Sequence, residues 1–94
     1  MRQEELQKLT EQISRDYFHR PFLHMVKINH RMRTTGGRYH LDDHHIEINA
    51  HFLEAKNQKY LVGIIKHELC HYHLHLMGLG YQHKDRDFKI LLNR

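Results

Sequence analysis

The chain has 94 residues, 39% hydrophobic and 28% charged, which fits one globular domain and excludes a disordered chain. A domain this small buries only about 60–65% of its unfolded surface, so a bound metal would help to hold it. The net charge of +4 admits nucleic acid or another acidic partner without requiring one, one cysteine excludes a disulfide framework and a four-cysteine zinc site, and no apolar run approaches a membrane span.

In chain order, Glu4 to Phe18 carries Leu6, Leu9, Ile13 and Tyr17 at spacings of three and four, which predicts an amphipathic helix stopped by Arg20-Pro21. From His24 to Thr35 the period changes to two, with Val26 and Ile28 facing one way and Lys27, Asn29 and Arg31 the other. Gly36-Gly37 reads as a hairpin turn. Arg38 to Leu41 is then a second strand and His45 to Asn49 a third, giving a three-stranded antiparallel sheet. Its apolar face is Val26, Ile28, Tyr39, Leu41, Ile46 and Ile48. Arg31, Arg33 and Arg38 gather at the hairpin as candidate contacts for nucleic acid, although basic strand residues more often face water. His40, His44, His45 and His51 collect near one sheet end as candidates for an incidental transition-metal site, a reading weakened because a loose cluster does not supply the specific geometry that metal needs.

After a short helical turn at His51 to Lys56, a long helix begins near Gln58, with Asn57 or a neighbour as its cap. Leu61, Ile65, Leu69, Tyr72 and Leu76 form its inward side. On its other side lies His67-Glu68-Leu69-Cys70-His71, an H-E-x-x-H motif. At about 100° per residue, His67 and His71 project from one face one turn apart, and Glu68 lies on the adjacent flank. Two neutral imidazoles so placed can share one Zn²⁺, with a third protein ligand and a water completing a catalytic site, and the Glu can take the water's proton as general base. Gly78-Leu79-Gly80 ends the helix and lets the chain turn back, which makes His83 the candidate third ligand. His75, two turns beyond His67, is a candidate fourth ligand or a supporting partner, and Cys70 is read as packing. Asp85 or Asp87 is expected to cap a final helix bearing Phe88, Leu91 and Leu92, a helix that looks cut at Arg94.

The residues Tyr17-Phe18, Arg20-Pro21-Phe22, Asn29 to Tyr39, Ile46 to Asn49, His67 to His71 and His83 together resemble the SprT-like family of zinc metalloprotease domains over almost the whole chain. The resemblance implies an α+β, zincin-like minimal metalloprotease fold spanning residues 1–94 as a single domain, with an N-terminal helix, the sheet, the active-site helix and a C-terminal helix. It implies one zinc carried by His67, His71 and His83, with Glu68 as catalytic base. The substrate is then a protein or peptide, and the eukaryotic branch of the family suggests proteins associated with or crosslinked to DNA. His83-Lys84-Asp85-Arg86-Asp87-Phe88 departs from the H-G-x-E-aromatic pattern of many relatives, and the Cys-rich zinc ribbon common in the group is not in this sequence. The rival reading is a non-catalytic domain that zinc stabilises for binding DNA or a protein, its site closed by His75 or an acid. A metal-free helix is the third. A monomer is expected, and the cytoplasm is the default location because Met1-Arg2-Gln3-Glu4-Glu5 is too polar for a secretory signal.

Overall fold

The computed structural model describes residues 1–93, and these form a mixed α+β domain. Its elements are α1 (Gln3–Ile13), β1 (Val26–Asn29), β2 (Gly37–Tyr39), β3 (Ile46–Asn49), α2 (Gln58–Leu76) and α3 (Arg86–Leu92). Leu6 and Ile13 bury the inner side of α1, as their spacing predicts. The helix then widens into a π-helical turn over Ser14–Phe18 and stops at His19, whose φ is 57°.

The expected antiparallel sheet is corrected to a mixed one. Its strand order is β1-β3-β2, with β1 parallel and β2 antiparallel to β3. Strand β3 carries Ile46 and Ile48, both fully buried, and takes the centre, where it is paired on both sides; the short Gly-Arg-Tyr strand is left at an edge. Gly36-Gly37 therefore does not join neighbouring strands. The glycines serve a close approach instead: a Cβ on Gly36 would lie 2.8 Å from Ile64 Cδ1 of α2. The turn at Asp42-Asp43-His44 does connect β2 to β3, with His44 at φ 65°. Leu41, expected on the apolar face, is 48% exposed because it lies beyond the last paired residue of β2.

Helix α1 covers the outer edge of β1. Gln7 Oε1 accepts from Val26 N–H at 2.9 Å and Gln7 Nε2 donates to the His24 carbonyl at 2.9 Å, while Gln3 bonds to the backbone of Val26 and Ile28. These side chains satisfy groups that an open strand edge would present to another chain.

Helix α2 crosses the inner face of the sheet and presents Leu61, Ile65, Leu69 and Tyr72 to the core. Leu76, expected with them, is 46% exposed, since it lies in the last turn of α2. Asn57 precedes α2 without a side-chain capping bond; its amide donates to the His51 carbonyl instead. The other end follows the expected form, with Gly78 at φ 72° and Leu79 N–H bonded to the Leu74 carbonyl at 2.9 Å.

His73 points into the core, where its Nε2 meets Ser14 Oγ at 2.7 Å. Ser14 donates its hydroxyl proton to the Arg20 carbonyl at 2.7 Å, so the His73 nitrogen must be the donor to Ser14. Ser14→Ala is expected to lower unfolding free energy by about 1–3 kcal/mol in urea denaturation, because it strands that buried N–H.

Candidate metal centre

Residues from three elements meet at one end of an open cleft of about 920 Å³. His67 and His71, one turn apart on α2, turn their half-buried imidazoles to the cleft. The chain beyond Gly78 folds back over them, held by two acids from α3 and the residue before it: Gly80 N–H donates to Asp87 Oδ2 at 2.9 Å and Gln82 N–H to Asp85 Oδ2 at 3.0 Å. Asp85 takes the N-cap position of the final helix, as expected, but makes no side-chain capping bond; its carboxylate and that of Asp87 fasten this loop instead.

The loop delivers His83. Its Nε2 lies 2.7 Å from Nε2 of His67 and 2.8 Å from Nε2 of His71. The Phe88 ring supports all three imidazoles from below, with centroid separations of 5.3, 4.5 and 5.2 Å to His67, His71 and His83. His71 donates Nδ1–H to the Tyr81 carbonyl at 2.5 Å, which leaves its Nε2 as a lone pair aimed into the site.

Three ring nitrogens converging on one point suit a cation better than one another. Hydrogen bonds cannot serve every pair, since the neutral His71 has already given its proton to Tyr81. Burial, reinforced by His71 and His83, pushes the His67 pKa down to about 4. Burial also lowers that of His71, against the opposing effect of its bond to Tyr81. Both rings are therefore neutral near pH 7, the form that ligates metal. The donor set fits zinc, which accepts imidazole nitrogen and commonly takes three protein ligands in catalytic sites.

Glu68 lines the same cleft yet is only 6% exposed. Burial raises its pKa to about 7, with the Arg38 guanidinium pulling the other way. Strand β2 runs beside it so closely that a Cβ on Gly37 would lie 2.9 Å from Glu68 Cγ and 3.1 Å from the Glu47 carbonyl oxygen. Gly37→Ala is expected to cost about 1–3 kcal/mol in thermal or urea unfolding through this overpacking. Metal content should remain that of the parent, because the clash falls on Glu68 and not on the three imidazoles.

The other sequence candidates divide. His75 is held by Tyr39, whose hydroxyl lies 2.6 Å from its Nδ1 and 2.8 Å from Nδ1 of His44. It does not join the converging group of His67, His71 and His83. Cys70 is fully buried and its thiol approaches the Phe88 carbonyl at 3.6 Å, in keeping with packing. Arg31, Arg33 and Arg38 are exposed, Arg38 at the cleft wall and the other two on the segment between β1 and β2. Sequence reasoning missed the Tyr81 carbonyl and the role of Phe88 as a floor. No side-chain signal marks a carbonyl, and Phe88 reads from its spacing only as a core residue.

A small α+β domain whose central helix carries H-E-x-x-H, with a downstream loop returning a third histidine to the same point, is the class that this fold and site define. The chain belongs to the SprT-like family, whose sequence model matches residues 6–94. It is 57% identical to Protein SprT-like of Bacillus subtilis (strain 168) and 55% identical to Protein SprT-like of Bacillus cereus (strain G9842), over 94 residues in each case. These alignments cover 100% of this chain but 63% and 62% of the two relatives. A 92-residue alignment with Protein SprT-like of Bacillus anthracis (strain CDC 684 / NRRL 3495) has 54% identity and covers 98% of this chain and 60% of the relative. No solved structure matches the chain.

Proposed function

We propose that this domain is a zinc-dependent peptidase of zincin-like architecture, with His67, His71 and His83 as ligands and Glu68 as general base. The observation that carries the reading is the meeting of three imidazole nitrogens beside a buried carboxylate in one cleft. Zinc held there would supply a Lewis acid for the scissile carbonyl and lower the pKa of bound water to about 7.

The chain's own residues do the rest. Glu68 accepts the proton of the attacking water on its carboxylate and can return it to the leaving amine; burial places its pKa near the working pH, where a general base is most effective. The cleft walls formed by Ile64, Phe52, Tyr60 and the backbone of Thr35 to Gly37 suit an extended peptide and reduce the water around Glu68. His71 is held in its ligating tautomer by Tyr81, and Phe88 fixes the tilt of all three rings.

Protein associated with DNA is the proposed substrate class, supported by the exposed Arg31 and Arg33 on the segment that leads to the cleft and by Arg38 at its wall. A cytoplasmic location belongs to the same proposal, supported by the single free thiol of Cys70. Among the described residues no helix is long and apolar enough to cross a membrane. The test is cleavage of a DNA-bound protein by the zinc-loaded chain, with and without DNA and across salt concentrations. Cleavage that DNA enhances, and that Arg31→Ala with Arg33→Ala weakens, supports the full reading. Cleavage indifferent to DNA keeps the peptidase and removes the DNA-linked substrate, and no cleavage of any protein overturns the enzyme.

A further inference from the structure

A second group of metal-ligating side chains lies on the opposite face of the sheet from α2. Glu47 alternates with the buried Ile46 and Ile48 of β3, so its side chain leaves the inner face. His45, two residues earlier, shares its face. His40 comes alongside across the turn, where its backbone N–H donates to the His45 carbonyl at 2.9 Å. The two imidazoles stack with centroids 4.0 Å apart and planes 9° apart.

Their nitrogens address one carboxylate oxygen. His45 Nε2 lies 2.9 Å from Glu47 Oε2, and His40 Nε2 lies 3.3 Å from the same atom. His40 Nε2 is buried and has no hydrogen-bond partner, since that approach is not aligned as a hydrogen bond. A buried ring nitrogen held only by such a misaligned ion-pair contact is incompletely satisfied, and a cation on its lone pair would complete it. One ligand atom from each of the three residues falls within 4.8 Å of the others. A tetrahedral ion with bonds of about 2.0–2.2 Å separates its ligands by roughly 3.3–3.6 Å, so small side-chain rotations suffice.

The surrounding groups orient these ligands as outer partners do in metal sites. Asp43 Oδ1 meets His45 Nδ1 at 2.5 Å, which directs the other nitrogen toward Glu47. Asn29 donates from Nδ2 to Glu47 Oε1 at 2.8 Å, leaving Oε2 for the site. His44 and His51 take no part: His44 is bonded to Tyr39, and His51 lies 4.0 Å from Glu54.

We infer that His40, His45 and Glu47 form a second site for a divalent transition cation of the zinc class, separate from the H-E-x-x-H centre. Its two histidines and carboxylate match the affinity of such ions for imidazole and carboxylate together. A cation there fastens the β2–β3 connection and satisfies the buried His40 nitrogen, which makes no aligned hydrogen bond. The competing arrangement is a charged His45 bridging Asp43 and Glu47, which needs no metal and gives His40 no role.

The experiment is calorimetric titration of zinc-loaded wild-type chain with further Zn²⁺ at pH 7.5, alongside His40→Ala, Glu47→Gln and His51→Ala. A second equivalent is expected, weakened at least about tenfold by His40→Ala or Glu47→Gln and unchanged by His51→Ala. Nitrogen chemical shifts of His40 and His45 in the wild-type chain give a reading that needs no variant: both Nε2 resonances should move as the second equivalent binds. No uptake beyond the first equivalent up to about 1 mM Zn²⁺ overturns the site. So does a second equivalent that leaves those two resonances in place or that a folded His40→Ala binds as well as wild type.

Discussion

Glu68→Gln is expected to retain zinc at the wild-type level while lowering peptide hydrolysis by about 10²–10⁴-fold, the usual contribution of a positioned general base. The amide has nearly the shape of the acid it replaces, so the cleft that leaves Glu68 only 6% exposed should accept it. What it lacks is the ability to take a proton from water. The effect should appear in kcat with little change in KM, because Glu68 serves the reacting water. Equal hydrolysis by the variant and the parent at matched zinc content would remove Glu68 from the chemistry. Lost zinc would instead assign it to the metal's support.

Removal of any one imidazole from the converging group is expected to have the second large effect. His67→Ala, His71→Ala and His83→Ala should each lose the zinc that wild type retains through dialysis, a greater loss than the about 10–100-fold typical of an outer partner. His75→Ala should keep one equivalent, because its Nδ1 is committed to Tyr39 and not to the site. Elemental analysis of the dialysed proteins reads both outcomes. Chelation should also lower the melting temperature of wild type, since metal bound only by the folded state adds its binding free energy to stability. The loop at Gly80 to His83 is the segment expected to loosen first, for without the metal only the Tyr81 carbonyl on His71 and the contacts of His83 tie it to α2. Zinc that survives His83→Ala but not His75→Ala would reverse the ligand assignment.

The helix that bears H-E-x-x-H was legible because its information is local. The i, i+4 spacing of His67 and His71 fixes their common face once the segment is helical, and Gly78 ends that segment through its own backbone freedom. His83 was legible for a related reason: a glycine break followed by a short loop leaves a later histidine few places to go except back over the helix. The inward side of α2 followed from the same period, except at Leu76, where the last turn runs out of partners.

The sheet was not legible in the same way. Alternation identifies strands and their faces but says nothing about which strand pairs with which, so Gly36-Gly37 read as a turn between neighbours. Only packing against Ile64 and Glu68 explains why glycine is needed there, and that contact joins residues about thirty apart in the chain.

The sequence by itself determined the helix that bears H-E-x-x-H, its stop at Gly78, the burial of Cys70 and membership of the SprT-like family, because each rests on local spacing or on residue identity. Only the tertiary structure decided the β1-β3-β2 order, the separation of His75 from His83 and the pairing of His40 with His45 and Glu47. Those outcomes depend on which distant segments share the core and which strand edges remain to be filled. Long-range packing sets both, and residue spacing does not encode it.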